Sequence, residues 1–206
     1  MAFQNRLKQL FPGLSGLRGD YEGMYSLTPN RESLQMAEIL SDICWRILRC
    51  PASQIDMVDG TAGIGGNTFG FARLFRTIHA IEVDVKRVAL LRHNVAIACS
   101  QKNVQCHHGS ILDLCTPFPL IFLDPPWGGC QYYRTKLLQL QLGGVALPSL
   151  MNRWAVRSNR YRPTVVGVKV PRNFALDWFE RHLVASVKLY SVHTFPKMVL
   201  LVVVIS

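Results

Sequence analysis

Residues 120–129 read Leu-Ile-Phe-Leu-Asp-Pro-Pro-Trp-Gly-Gly, an apolar run that stops at a carboxylate and two prolines. Such a run predicts a buried parallel strand that ends at the carboxyl edge of its sheet, where open α/β folds bind ligands. The prolines stiffen the backbone and remove two N–H donors, so carbonyl groups and the Asp124 carboxylate form a row of acceptors beside the Trp127 indole. This row suits an exocyclic amino group on a flat base; a Pro-Pro turn with a core tryptophan is the alternative.

Short apolar runs alternate with helical segments on both sides of this stretch. The pattern predicts strands at 55–59, 78–83, 104–107, 120–123 and 164–170, and helices at 66–76, 85–99 and 173–182. A terminal antiparallel hairpin is predicted from 184–192 and 197–205. Together these elements predict an α/β fold with a mostly parallel seven-stranded sheet.

A further helix is predicted ahead of the first strand, with Thr28 as N-cap, Pro29 as its first residue and an end near Leu48. Residues 1–20 carry three glycines and no sustained periodicity, so they are predicted to form an N-terminal arm. Because 206 residues with 49% hydrophobic content suit one substantial core, residues 21–206 are predicted to form a single domain.

The chain is strongly basic, with 23 Lys plus Arg against 13 Asp plus Glu and a formal net charge of +10. This balance suits a polyanionic partner such as nucleic acid, although a basic protein without that role is the alternative. The apolar end at 198–205 spans eight residues, too short for a membrane helix, and a signal-peptide core is not evident. We therefore expect a soluble intracellular protein without a membrane partner.

The cysteines and histidines do not follow metal-binding spacings. Six cysteines lie apart without a Cys-x-x-Cys pair, mostly inside apolar stretches, which favours a reducing compartment. His107 and His108 are adjacent and point to opposite faces of any strand, while the other histidines are scattered. We expect no metal site.

A glycine-rich turn follows the first predicted strand, where Asp59 leads into Gly60-Thr-Ala-Gly63-Ile-Gly65-Gly66-Asn67-Thr68. Glycines let the backbone approach a ligand closely at the start of a helix. Thr68 stands where a dinucleotide fingerprint has its third glycine. Because the Asp59 carboxylate would attract the ammonium of S-adenosylmethionine and repel the pyrophosphate of NAD, the turn favours S-adenosylmethionine.

Three polar residues follow the next two strands. Glu82 ends the second strand, where its carboxylate is placed to accept hydrogen bonds from both ribose hydroxyls. Asp84 is predicted to cap the following helix without touching a ligand. Ser110 follows the third strand, where its hydroxyl either faces the adenine or makes a local turn hydrogen bond.

Four segments, in this order, resemble the trimethylguanosine synthases, S-adenosylmethionine enzymes that methylate N2 of a 7-methylguanosine RNA cap. The segments are 20–29 (Asp-Tyr-Glu-Gly-Met-Tyr-Ser-Leu-Thr-Pro), 59–68, 124–129 and Pro171-Arg172-Asn173, within a match over most of 18–206. The resemblance implies a Rossmann-like class I methyltransferase acting on 7-methylguanosine-capped RNA. We also expect a monomer, and from the family a nuclear location, with the cytoplasm as the alternative.

The resemblance also implies roles for particular residues. The cofactor-binding candidates are Thr28, Asp59, Gly60, Gly63, Gly65, Asn67, Thr68, Glu82, Ser110 and Asp124. The catalytic candidates are Asp124, Pro125, Pro126 and Trp127, and the substrate-binding candidates are Trp127, Lys169, Arg172 and Asn173. Trp127 would stack on 7-methylguanine, a cation that gains about 2 kcal/mol over an indole face when desolvated.

Two groups of cations are assigned to the RNA. Arg172 is expected to pair with cap phosphates, and Lys169 either assists or forms a surface salt bridge. The segment 153–162, which mixes cations with aromatics, is interpreted as an RNA-tracking surface; a solvated helix with Trp154 in the core is the alternative.

Three positions depart from the family's usual residues: Asp124 replaces Ser, Met24 replaces Trp and Ser110 replaces Asp. Asp-Pro-Pro-Trp is also the signature of messenger-RNA adenine N6 methyltransferases, so Asp124 leaves the choice of base open. The alternatives are therefore an N6-adenine or unmodified-guanine N2 methyltransferase, or a cap- or cofactor-binding module without turnover. In the preferred hypothesis, Asp124 and the Pro125 carbonyl accept the N2 hydrogens, and orientation contributes most to the rate.

Overall fold

The structure, a computed structural model, describes residues 2–99, 103–157 and 162–206, and the chain divides into two units, Met1–Asp113 and Leu114–Ser206. Within the described residues the strands form a seven-stranded sheet and a separate two-stranded ribbon. The sheet is mostly parallel, and its last two strands form the antiparallel hairpin. The predicted fold class is confirmed.

The first unit contains three parallel strands in the order β3-β2-β1. They are β1 (Asp56–Asp59), β2 (Thr77–Glu82) and β3 (Val104–His108), and two helices follow β1 and β2, namely α4 (Gly66–Phe71) and α5 (Val85–Ala98). β1 and β2 run side by side, with Asp59 opposite Ala80. Because parallel strands end at one edge, the loop after Asp59 reaches the end of β2, where Ala62 N donates to Ile81 O at 2.9 Å.

Three helices precede β1: α1 (Ala2–Leu10), α2 (Tyr21–Ser26) and α3 (Asn30–Leu48). The first two were not predicted, because three nearby glycines interrupt the apolar pattern. The predicted arm is nevertheless packed, since Leu7, Phe11 and Leu17 are buried. The helix start was predicted one residue too early: Pro29, not Thr28, occupies the N-cap of α3, and its extended ψ of 152° excludes it from the helix.

The second unit contains four strands in the order β4-β7-β9-β8. They are β4 (Leu120–Leu123), β7 (Val165–Pro171), β8 (Val187–Thr194) and β9 (Met198–Ile205). The separate ribbon, β5 (Gln141–Leu142) and β6 (Val145–Ala146), lies between β4 and β7 in the chain. β4 and β7 are parallel and wholly buried, with Leu123 opposite Val168. The pairs β7–β9 and β8–β9 are antiparallel, which confirms the predicted hairpin.

Two helices lie in the second unit, α6 (Leu147–Ala155) and α7 (Leu176–Arg181). α7 begins three residues later than predicted, because the chain first turns at Pro171, whose carbonyl accepts from Phe174 N at 3.1 Å. Likewise α4 ends at Phe71 rather than residue 76, and single turns follow it. These differences leave the order of elements unchanged.

Two of the described cysteines, Cys44 and Cys99, are free and lie buried among the apolar residues of the core. Burial raises the pKa of Cys44 to about 12 and that of Cys99 to about 11, so both remain protonated at neutral pH. Cys50 and Cys106 are half-buried, and Cys115 is exposed. The part of the chain that the structure describes contains no group of three or more His, Cys, Asp or Glu side chains able to hold a metal ion. Within the same residues, no helix has the length and apolar character needed to cross a membrane.

Candidate active site

Glu82 lies at the carboxyl end of β2, where the glycine-rich turn packs against it. Its Oε2 accepts a hydrogen bond from Gly63 N and its Oε1 accepts one from Asp84 N, both at 2.8 Å. These bonds orient a carboxylate that is only 6% exposed. A carboxylate offers about four lone-pair sites, so two acceptor positions stay available for hydroxyl donors.

Gly63 leaves the turn open on the side next to Glu82. Its φ of 56° is left-handed, and a Cβ built on it meets no atom within 4 Å. Gly65 also has a left-handed φ, of 108°, and in addition its Cβ would lie 2.5 Å from the Phe69 ring. The ribose of S-adenosylmethionine needs an acceptor for its hydroxyls and open space next to it. Glu82 supplies the acceptor and Gly63 leaves the space, so these residues fit this cofactor.

Asp59 and Thr68 form the buried base of the same turn. Thr68 Oγ1 donates to Asp59 Oδ2 at 2.6 Å, and both residues are fully buried. Gly60 follows Asp59 and is also buried. The structure therefore joins two predicted cofactor-binding residues that are nine positions apart, and Thr68 acts by holding the Asp59 carboxylate.

Thr28 and Asn67 lie on the other side of the turn. A Cβ on Gly66 would approach Thr28 N to 3.0 Å, so the backbone at Thr28, which is buried, packs directly on the turn. Asn67 O accepts from Ser33 Oγ at 3.1 Å. Thr28 thus contributes to the shape of the turn through its backbone, although its predicted role as helix N-cap was wrong.

Asp84 and Ser110 behave as local structural residues. Asp84 Oδ1 accepts from Lys86 N at 2.7 Å and from Arg87 N at 3.1 Å, which confirms the predicted N-cap of α5. The bonds to Arg87 and Lys86 lower the pKa of Asp84. Ser110 Oγ accepts from Leu112 N at 3.2 Å, which is the local turn bond that the sequence left as one of two possibilities.

Asp124 lies one residue beyond β4 and forms an ion pair with Lys169 of β7. Lys169 Nζ lies 2.5 Å from Asp124 Oδ2, and the two side chains are 3% and 11% exposed. The pairing follows from the register, because Leu123 lies opposite Val168. The sequence had left two roles for Lys169, a phosphate ligand or a partner in a surface salt bridge. The structure supports neither role, because Lys169 lies on a fully buried strand.

Trp127 is half-buried, and its indole lies beside the same ion pair. Lys169 Nζ lies 5.2 Å from the ring centroid, within cation–π range. The ring also meets Tyr132 edge-on, with centroids 5.1 Å apart at 75°. Among the described residues its buried Nε1 finds no hydrogen-bond partner. Pro125 is buried and Pro126 is exposed.

The Pro171-Arg172-Asn173 turn ends β7, and its two polar residues differ in role. Asn173 Nδ2 donates to Tyr132 O at 2.9 Å and to Thr135 O at 2.6 Å, so this amide holds the segment that follows Trp127. Arg172 is exposed, with a long bond of 3.4 Å to Pro196 O. The exposed guanidinium of Arg172 is accessible to an anion, whereas Asn173 positions the backbone of residues 132–135.

In the described part of the segment 153–162, the aromatic residue Trp154 is not exposed, whereas the RNA-tracking interpretation requires an exposed ring. Trp154 lies in α6 and is 1% exposed, and Arg157 donates to Leu114 O at 2.8 Å. Residues 158–161 lie outside the described residues. The alternative, a helix with Trp154 in the core, describes the visible part of the segment.

A family model matches the larger part of this chain. The model for RNA cap guanine-N2 methyltransferases aligns with residues 54–192, which include the glycine-rich turn, Glu82, Asp124, Trp127 and the Pro-Arg-Asn turn. The chain belongs to the RNA cap guanine-N2 methyltransferase family. The resemblance found in the sequence is confirmed.

Other proteins are similar in sequence to this RNA cap guanine-N2 methyltransferase family member. The uncharacterized protein L320 of Acanthamoeba polyphaga mimivirus is 27% identical over 184 residues, covering 84% of this chain and 68% of L320. The trimethylguanosine synthase of Schizosaccharomyces pombe is 30% identical over 125 residues, covering 57% of this chain and 48% of that protein. The chain thus spans about half of the yeast enzyme.

A solved structure supports the fold. The Pyrococcus abyssi tRNA (uracil-54, C5)-methyltransferase, crystallised with S-adenosyl-L-homocysteine, matches with a TM-score of 0.56 and 15% identity, covering 91% of this chain and 40% of that one. At this identity the likeness establishes a shared methyltransferase fold.

Two residues of this methyltransferase support the turn but were missed in the sequence. Asn94, 1% exposed, donates from Nδ2 to Ile64 O at 2.9 Å and to Arg18 O at 2.7 Å. Ser33 Oγ also accepts from Gly70 N at 3.2 Å. A signal existed for both, because each polar residue lies at the helical spacing of its helix's buried apolar positions.

Proposed function

We propose that this chain transfers methyl groups from S-adenosylmethionine to the exocyclic N2 of 7-methylguanosine in an RNA 5′ cap. The observation that carries the proposal is the cluster of Asp124, Lys169 and Trp127, which sets a fixed carboxylate beside a half-exposed indole in a member of a cap methyltransferase family. A flat cation with an amino group is the ligand that such a pair of groups recognises.

The first unit is proposed to bind the methyl donor. S-adenosylmethionine supplies an electrophilic methyl group when bound. The Glu82 carboxylate would accept hydrogen bonds from the ribose hydroxyls, because its bonds to two backbone N–H groups leave lone pairs free on both oxygens. The negative charge of Asp59 would attract the methionyl ammonium of the cofactor. The remaining residues of the turn would line the cofactor site: Gly60, Gly63, Gly65 and Asn67.

Trp127 is proposed to stack on the 7-methylguanine base. An indole face attracts this cation by about 2 kcal/mol when water is excluded, and the same contact discriminates against neutral guanine. Lys169 brings a positive charge near the ring, but Asp124 compensates that charge at 2.5 Å. The ion pair therefore allows a second cation to approach the exposed part of the indole.

The Asp124 carboxylate and the Pro125 carbonyl are proposed to accept hydrogen bonds from the N2 amino group. The N2 lone pair is delocalised into the ring, so the amine must be held in line with the methyl group while its proton departs. Because Lys169 already holds Oδ2 of Asp124, we assign orientation of the amine, rather than proton abstraction, as the main contribution of this carboxylate. Arg172, which is exposed, would pair with cap phosphates.

A methyl-transfer assay tests the proposal. The wild-type chain is incubated with S-adenosylmethionine and either 7-methylguanosine diphosphate, guanosine diphosphate or an uncapped adenine-containing RNA, and the products are identified by mass spectrometry. We expect a mass gain on the first substrate alone, located on N2. Methylation of adenine alone would reject the proposal, and calorimetric cofactor binding without any product would assign a binding module.

One observation favours a second candidate, an N6-adenine or unmodified-guanine N2 methyltransferase. Asp124 stands where cap guanine-N2 enzymes usually have serine, and a carboxylate can accept from an adenine amino group as readily as from guanine N2. The same assay separates the two candidates. A nuclear location, which is expected from the family, and a monomeric state belong to this proposal and are testable by imaging of a tagged chain and by light scattering.

A further inference from the structure

The second unit contains an exposed aromatic and basic segment immediately after the Trp127 loop. Gly129–Arg134 forms a 3-10 turn, and residues 133–137 are all exposed. Tyr133 is 66% exposed, and Arg134 and Lys136 are exposed beside it. We call Tyr133, Arg134 and Lys136 the Tyr133 surface.

A row of ring contacts links this surface to Trp127. Trp127 and Tyr132 meet at 75° with centroids 5.1 Å apart, and Tyr132 and Tyr133 meet at 79° with centroids 6.3 Å apart. An edge-to-face contact covers at most one face of a ring. Tyr133 therefore keeps ring surface in solvent at the end of a row that begins at the proposed base-stacking residue.

The backbone of the segment is held in place before any ligand binds. Asn173 Nδ2 donates to Tyr132 O and Thr135 O, and Leu138 N donates to Asn173 O at 2.8 Å. Thr135 N also donates to Tyr132 O at 3.2 Å. Because these bonds fix the backbone on both sides of Tyr133, little further ordering of the segment is needed when a base stacks there.

The charge of this unit selects a polyanion as partner. Residues 114–206 contain 11 Lys and Arg against three acidic residues, and 129–138 contain Arg134 and Lys136 and no acidic residue. One of the three acids, Asp124, is already paired with Lys169. An exposed ring flanked by cations is the combination that binds single-stranded nucleic acid, because a base stacks while its phosphates meet the cations.

We infer that the Tyr133 surface binds the RNA chain next to the cap, with a base stacked on Tyr133 and its phosphates at Arg134 and Lys136. The inference rests on the proposed function for the identity of the RNA. It moves the RNA-tracking role from 153–162, where the tryptophan is buried, to a segment whose ring is exposed. The cap itself would be bound without this surface.

The test compares a short and a long substrate. Tyr133→Ala is assayed on 7-methylguanosine diphosphate and on a 7-methylguanosine-capped oligoribonucleotide, with Tyr190→Ala, a 44% exposed tyrosine of the same unit, as the matched control. We expect the Tyr133→Ala KM to rise about tenfold on the oligoribonucleotide. Its kcat and KM on the diphosphate should equal wild type, and Tyr190→Ala should leave both substrates unchanged.

Two results overturn the inference: an equal loss on both substrates, or no loss on the oligoribonucleotide. If the wild type methylates neither substrate, the proposed function fails, and fluorescence anisotropy of the labelled oligoribonucleotide then decides the surface. Weaker binding by Tyr133→Ala supports it, and unchanged binding overturns it. In the same assay, replacing Arg134 and Lys136 by Ala should reduce the salt-dependence slope by about 1.4, since each lost single-strand phosphate contact lowers it by about 0.7.

Discussion

Lys169 Nζ and Asp124 Oδ2 are 2.5 Å apart, although 45 residues separate them in sequence. The side chains are 3% and 11% exposed, and each charge compensates the other. The pair holds the Asp124 carboxylate beside Trp127 and thereby links the buried sheet of the second unit to the proposed base-binding loop. This relationship is the basis of the first prediction.

Lys169→Met should destabilise the chain by about 3–5 kcal/mol, because it removes the ammonium that compensates the largely buried Asp124 carboxylate. Urea unfolding measures the free energy of unfolding. The double variant Asp124→Asn, Lys169→Met should recover most of the loss, since neither charge then remains. A double variant as unstable as Lys169→Met would mean that the lost packing of the lysine, not its charge, is responsible.

Trp127→Ala should strongly reduce cap methylation while leaving the affinity for S-adenosylhomocysteine nearly intact. The variant loses a cation–π contact of about 2 kcal/mol, equivalent to roughly 30-fold in affinity for 7-methylguanosine diphosphate. Calorimetry with each ligand checks both statements. Trp45→Ala, at a 57% exposed tryptophan of α3, is the matched control and should behave like wild type. Full activity of Trp127→Ala would refute the stacking role.

Glu82→Gln should weaken S-adenosylhomocysteine binding by at least about tenfold, because one acceptor oxygen for the ribose becomes a donor. The neighbouring Asp84→Ala serves as the control. It removes the N-cap of α5 and should reduce stability without changing the affinity. Calorimetry and urea unfolding of both variants separate the two roles, and equal affinities for all three proteins would contradict the assignment of Glu82.

Asn94→Ala should lower the free energy of unfolding by about 2 kcal/mol, because it leaves the buried carbonyl of Ile64 and the part-buried carbonyl of Arg18 without their hydrogen bonds. Since Ile64 belongs to the glycine-rich turn, cofactor affinity should fall as well. Asn152→Ala is a matched control, because Asn152 also bonds two backbone groups, those of His182 and Val184. It should reduce stability and leave cofactor affinity unchanged.

Stability should decrease as the pH falls below about 6.5, partly through His79. Burial and the neighbouring His107, whose Nε2 lies 3.3 Å from His79 Nδ1, lower the pKa of His79, and Asp56 opposes this shift. Above the unfolded value of 6.5 both states are neutral and His79 contributes no pH dependence. Between that value and the lower folded pKa, only the unfolded chain binds the proton, so acid favours unfolding.

Urea unfolding at a series of pH values measures this slope. His79→Gln should flatten it in part, because burial also lowers the pKa of His193, which contributes with the same sign. An unchanged slope in His79→Gln would exclude the contribution of His79. The close approach of His79 and His107 also corrects the sequence-based view that the histidines lie scattered.

The local features of the site were readable from the sequence. A strand that ends at Asp59, a glycine turn, and an apolar run that ends at Asp124 are each set by neighbouring residues, through burial, φ > 0 and proline stiffness. Together with residues 20–29 and the Pro-Arg-Asn turn, these features indicated the family, and the apolar runs predicted the seven strands of the main sheet but not the β5–β6 ribbon. Short helices such as α1 were missed, because their stability comes from packing rather than from local pattern.

Tertiary structure alone decided which distant side chains meet. The register of β4 against β7 turns Lys169 from an expected surface cation into the partner of Asp124, and the burial of Trp154 removes it from the surface where cations and aromatics had seemed to mix. Asn94 reaches the glycine turn across 30 residues. Such pairings depend on the registers and packing of whole strands and helices, and a contact between distant residues leaves no mark on the local sequence around either one.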